Sequence, residues 1–184
     1  NHHYHPQQNT QSTMKMANNM LDQINITLME KTTNYLMPAI ITAESSSRLV
    51  EEGALNLRNK SQLEAYALGV LKPLPQLNAF YIGDKYGNFV MTKRLPDQTI
   101  QTKVIQRQGT HSVTLKSRNQ FGQIISTQKE KDLSYDPRIR PWYIGAKEFE
   151  QRYWTDVYLF YTGKKPGITA AYPAFDKNRQ FYGV

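Results

Sequence analysis

Tyr135-Asp136-Pro137-Arg138-Ile139-Arg140-Pro141-Trp142-Tyr143 brings two arginines, two tyrosines and a tryptophan into nine residues. A proline fixes its own φ at about −65° and biases the residue before it toward extended backbone, so Pro137 and Pro141 push Asp136 and Arg140 out of the helical region. The segment therefore reads as a stiff loop that enters a helix from about Pro141 to Glu150. Stiffness matters because a guanidinium grips a carboxylate through two parallel N–H···O bonds only when its fork is already aimed. Indole N–H and phenol O–H groups add donors on rigid apolar rings, so the cluster suits a small anion. A structural reading fits the same residues: Trp142 and Tyr143 as core aromatics, Arg138 in a surface ion pair, and Asp136 as the cap of the helix.

Working outward toward the N-terminus, residues 1–12 are polar and contain His2, His3 and His5, which reads as a mobile start. From Thr13 the apolar residues Met14, Ala17, Leu21, Ile24, Leu28, Tyr35 and Leu36 return at three- and four-residue intervals, the signature of an amphipathic helix. Pro38 is expected to interrupt or kink it, after which the stripe resumes through Ala39, Ala43, Val50, Ala54 and Leu57. A helix from Thr13 to Leu57 rises roughly 65 Å, more than a compact lobe of this size needs, so part of it is expected to be a stalk or partner surface. A second helix is expected from about Ser61 to Leu71, stopped by Pro73 and Pro75.

The period then becomes two. Asn78 to Gly83 and Asn88 to Lys93 flank Asp84-Lys85-Tyr86-Gly87, a hairpin signal with Gly87 available for positive φ. After a looser stretch from Leu95 to Gly109, His111 to Lys116 and Phe121 to Thr127 form a second pair. Past the arginine loop, Tyr153 to Tyr161, Ile168 to Phe175 and Phe181 onward form a third set. Antiparallel strands on short turns with flanking helices make an α+β fold, with a PAS-like sheet behind the long N-terminal helix. Strand alternation puts Trp154, Asp156, Tyr158 and Phe160 on one face. If that face looks at the arginine loop, a site assembles.

The quoted loop, the segment "FYIGDKYGNFVM", and the run "YWTDVYLFYTGKKPGITAAYPAFDKNRQFYGV" together resemble the Cache superfamily of extracytoplasmic sensor domains, in particular the membrane-distal lobe of the double-Cache type. The resemblance extends over about residues 13 to 184. It implies that the long helix leads out of a transmembrane segment and packs against its twin in a homodimer. It also implies a site. Amino-acid-binding members of the family use a tyrosine, an arginine, a tryptophan-tyrosine pair, a later tyrosine and an aspartate for the ligand's ammonium group. Tyr135, Arg140, Trp142, Tyr143 and Tyr158 stand where that pattern wants them. The aspartate is expected beyond Val184, and Asp156 is the candidate to take its place.

Composition excludes several other classes. No run of 18 apolar residues occurs, so no membrane span is expected within the chain and any anchor is expected in flanking segments. With no cysteine there is no disulfide framework, thiolate nucleophile or cysteine metal site. The net charge of +8 comes from 23 basic and 15 acidic residues. Lys93, Arg94, Lys103, Arg107, Lys116, Arg118, Lys129 and Lys131 are scattered among strands and turns, which reads as a solvated basic face and not as a nucleic-acid footprint. No nucleophile-elbow Gly-x-Ser-x-Gly occurs, Gly163-Lys164-Lys165 lacks the rest of a phosphate-binding loop, and Asp132 with Asp136 has no metal-ligand spacing. Asn25-Ile26-Thr27 and Asn59-Lys60-Ser61 match the short glycosylation pattern.

The expectation is a non-catalytic, extracytoplasmic ligand-binding sensor domain of a bacterial membrane receptor in the inner membrane, facing the periplasm or exterior. No cofactor, metal or catalytic residue is expected; the ligand is a small carboxylate, first of all an amino acid. Residues 1–12 are assigned to a flexible start, 13–60 to a stalk and dimerisation helix, and 61–184 to the Cache lobe, cut short at its C-terminal end. The output module, whether kinase, chemoreceptor or cyclase, is not specified by these residues. Two rivals stand beside this reading: a dimerisation or protein-interaction module with an empty pocket, and an anionic-surface binder driven by the net charge.

Overall fold

The computed structural model describes residues 6–131, 134–155, 158–159 and 166–184. Contacts divide the chain into two units, Asn1–Met37 and Pro38–Val184. Helix α1 (Pro6–Glu51) continues through Pro38 and stops six residues before the expected Leu57. Pro38 removes one amide donor without ending the helical run, whereas Gly53 at φ +80° terminates it. There the amides of Ala54 and Leu55 both return to the Leu49 carbonyl, at 2.9 and 3.0 Å. Leu55 and Leu57 are thus buried loop anchors and not part of the helix stripe. In the first unit residues 9–35 are all exposed, the apolar Met14, Leu21, Ile24, Leu28 and Tyr35 included.

In the second unit, α2 (Lys60–Leu71) starts on Asn59, whose side chain accepts from the Gln62 amide. Five antiparallel strands follow in simple order: β1 (Ala79–Gly83), β2 (Phe89–Arg94), β3 (Ile100–Gln106), β4 (Ser112–Arg118) and β5 (Ile124–Glu130). The hairpin expected about Asp84 to Gly87 is present, with Gly87 at φ +85° and the Asp84 carboxylate accepting from the amides of Tyr86 and Asn88 at 2.9 Å each. The stretch 95–109, which reads as loose, contains β3. Its alternation is disguised because a fully buried core position is occupied by the polar Thr102 while Lys103 follows on the other face.

Strand alternation divides the core in two. Phe80, Ile82 and Val90 pack with Leu55, Leu57, Leu63 and Ala67 on the α2 side. Phe89, Met91, Ile105 and Val113 pack on the other side with Tyr135, Trp142, Tyr143, Ala146, Ala171 and Val184. That second layer is built by a 3-10 turn (Pro137–Ile139), helix α3 (Pro141–Phe149) and the C-terminal chain. Of the third set, the described residues show β6 (Tyr153–Trp154) paired with β9 (Ala170–Ala171), β7 (Tyr158–Leu159) with β8 (Pro166–Gly167), and β10 (Ala174–Phe175) with β11 (Phe181–Gly183). The strand expected from Ile168 to Phe175 is thus corrected to two short ones, the one from Phe181 is present, and part of the one from Tyr153 to Tyr161 lies outside the described residues. Pro173, between β9 and β10, has no amide donor to offer a ladder, in keeping with the break there.

The solvated basic face is corrected in part: Lys129 and Lys131 are exposed, but Arg94, Lys116 and Arg118 are bonded within the fold. Under α2, Glu64 receives Lys116 Nζ and Arg118 Nη2, both at 2.7 Å, and Arg118 also donates to Thr102 Oγ1 and the Gly122 carbonyl. Arg94 donates to the carbonyl of Leu71 at the end of α2 and to that of Leu77 in the loop before β1, at 2.7 Å each. A guanidinium taken out of water must find such partners, so these cations hold the helix to the sheet. Among the described residues no helix is long and apolar enough to cross a membrane.

Candidate ligand-binding site

The two prolines set the loop as their chemistry requires. Asp136 (φ −122°, ψ 115°) and Arg140 (φ −86°, ψ 148°) are both extended, and the 3-10 turn lies between them. Asp136 caps that turn through the Arg138 amide at 3.0 Å; α3 has Arg140 at its N-cap, with no side-chain cap, so the alternative placing Asp136 on the helix is corrected. Arg138 meets the same carboxylate edge-on, Nε to Oδ1 at 3.0 Å and Nη2 to Oδ2 at 2.9 Å. Burial raises the Asp136 pKa, but the hydrogen bonds from Arg138 outweigh it and hold the carboxyl below the usual carboxylate range.

Tyr135 and Arg140 come together. Arg140 Cζ lies 6.0 Å from the centre of the Tyr135 ring, and Lys103 Nζ stands 5.2 Å from the same ring. The ring rests on Phe89, centroid to centroid 4.7 Å. Arg107 donates to the Tyr135 carbonyl and sits 3.9 Å from Asp136. Three cations thus surround one aromatic residue on the sheet, an arrangement suited to an anion.

Trp142 and Tyr143 are each only 2% exposed and belong to the core, as the structural reading of these residues has it. Trp142 meets Tyr81 edge-on at 4.8 Å and Phe89 at 6.2 Å, and Tyr143 meets Phe181 at 5.8 Å. They form the floor behind Tyr135. Burial, aided by the Asp84 charge, pushes the Tyr143 hydroxyl up to about 12. Asp156 and the side chain of Tyr158 lie outside the described residues; the backbone of Tyr158 pairs with Gly167.

Sequence reasoning missed Lys103, Arg107 and Tyr81. The signal for Lys103 was its spacing: it shares a strand face with Ile105, and reading β3 as a strand would have aimed it at the arginine loop. Among the described residues no three His, Asp or Glu side chains cluster as a metal site.

Residues 99–184 match the family described as methyl-accepting chemotaxis protein-like, first PDC sensor domain. No curated protein matches the chain. Among solved structures, the ligand-binding domain of the Campylobacter jejuni chemoreceptor Tlp3, in complex with 4-methylisoleucine, is similar at 15% identity and TM-score 0.56, over 95% of this chain and 58% of that one. The ligand-binding domain of Mlp24 with asparagine matches at 22% identity and TM-score 0.43, over 95% of this chain and 54% of that one. The chain therefore spans little more than half the length of these two structures. Together, the α+β PAS-like fold and the match over residues 99–184 support a PDC or Cache-like sensor domain.

Proposed function

We propose that this chain is the extracytoplasmic ligand-sensing region of a bacterial membrane chemoreceptor-type protein, of the double-Cache kind, and that it binds a small carboxylate such as an amino acid. The observation that carries the reading is the rigid presentation of Arg140 beside Tyr135 on a cationic sheet face. Arg140 receives the carboxylate, Tyr135 closes over it, and Trp142 and Tyr143 supply the floor and two donors. Tyr158 completes the wall, and Asp156 takes the ammonium group. That both similar solved structures carry an amino acid or a close relative of one supports the ligand class. The domain itself binds and does not catalyse; residues 61–184 form the lobe, and 13–60 form a stalk whose exposed apolar residues pair with a second copy at the membrane.

Signalling requires the ligand to prefer one arrangement of the sheet and helix over another, since equal affinity for both transmits nothing. The test is a thermal-shift screen of wild type and Arg140→Ala against amino acids, short carboxylates and amines. At 100 times its dissociation constant a ligand adds about 2.7 kcal/mol of stability. An amino acid that raises the wild-type melting point and not that of the variant supports the proposal. Binding of amines alone removes the ligand assignment, and binding of nothing favours an interaction module.

A further inference from the structure

We propose that Arg107 is the positioning residue of this site: from the end of β3 it ties the backbone at Tyr135–Asp136 to the β1–β2 turn and so sets the aim of the arginine loop. The inference rests on the binding reading above and gives Arg107 a positioning role that the reading does not assign.

The side chain of Arg107 is 13% exposed. Its Nη1 donates to the Gly87 carbonyl at 2.7 Å, its Nη2 to the Tyr135 carbonyl, and its backbone amide to Asn88 Oδ1 at 2.8 Å. One planar fork thus holds two carbonyls from segments far apart in sequence, which a single lysine ammonium on a flexible stem does not reproduce. Gly87 leaves the room. At its φ of +85° an added β-carbon would stand 2.7 Å from Arg107 Cδ and 3.0 Å from Arg138 Cζ, so the glycine sits between two arginines that both lie against Asp136.

The other end of the clasp is equally fixed. Asp84, 4% exposed, takes the amides of Tyr86 and Asn88 and the Asn88 side-chain amide, and this orients Asn88 Oδ1 toward the Arg107 backbone. On the loop side, the Arg140 amide bonds the Pro137 carbonyl at 3.1 Å, closing the 3-10 turn between the held backbone and the ligand-facing guanidinium. A shift at the Tyr135 carbonyl therefore turns the Tyr135 ring on its own Cα and carries Arg140 along as a unit.

The experiment compares wild type, Arg107→Lys and Arg107→Met by amide hydrogen exchange and by titration with whichever amino acid shifts the wild-type melting point. The expected result is a tenfold or greater rise in exchange at residues 138–144 in Arg107→Met, with β2 and β4 unchanged, and a tenfold or greater loss of affinity. Arg107→Lys, which keeps the charge and the stem, should fall between the two and covers the case in which the methionine variant does not fold. Exchange that rises evenly over the sheet, or that stays unchanged at 138–144, overturns the inference, as does undiminished affinity in a folded variant. If wild type binds no amino acid the binding reading fails, and the exchange arm still decides the role of Arg107.

Discussion

Arg140 Cζ stands 6.0 Å from the Tyr135 ring centre, with the Pro137–Ile139 turn between the two residues in the chain. Arg140 is partly exposed at the start of α3, where the proline-fixed loop presents it. Arg140→Ala should remove the ligand-induced thermal shift, read against the melting point of the unliganded variant. Arg140→Lys should restore only part of that shift, since an ammonium lacks the two-pronged geometry.

Trp142 reports on the opposite balance. Its ring packs against Tyr81 and Phe89 at 2% exposure, so Trp142→Ala should cost about 3–5 kcal/mol in chemical denaturation, and Trp142→Phe less. A near-neutral Trp142→Ala would show that the layer over the sheet is not packed as described.

Glu64 receives both Lys116 and Arg118, and the Arg118 side chain is 9% exposed. Glu64→Ala leaves that guanidinium with its ion-pair partner removed and should destabilise the fold by about 3–5 kcal/mol, measured by urea unfolding. A double variant with Arg118→Met should recover part of the loss.

Alkaline pH addresses Tyr143. In the folded chain its hydroxyl stays neutral to about 12, whereas the ordinary value is 10.0. The unfolded chain therefore ionises first, so the stability this group contributes is complete below pH 10 and is lost as pH rises toward 12. Tyr143→Phe should flatten that part of the stability profile, and ultraviolet titration should find one phenol that ionises late.

Acid pH addresses Asp136, whose carboxyl is held low by Arg138 against the opposing effect of burial. A depressed folded value means that the contribution is present above the unfolded carboxylate range and is lost as pH falls through the folded value. Asp136→Asn should lower stability at neutral pH and lessen its fall in acid, read from melting points across a pH series.

Gly145 on α3 faces the Tyr153 ring, and an added β-carbon would collide with it. Gly145→Ala should therefore destabilise the chain despite the better helix propensity of alanine, and Tyr153→Leu should relieve the effect.

What the sequence determined by itself was local. Pro137 and Pro141 dictated an extended Asp136 and Arg140, and Gly87 marked its hairpin, since each effect acts within a few residues of its cause. Periodicity likewise revealed the helices and the first hairpin. Tertiary structure decided the rest. Strand β3 stayed hidden because Thr102 takes a buried place that local pattern reserves for an apolar residue, and only Arg118 and the neighbouring strands satisfy it there. With β3 unread, Lys103 and Arg107 looked like solvated charges. Folding brings them to Tyr135 across the sheet, because antiparallel pairing fixes side-chain neighbours by register and not by distance along the chain.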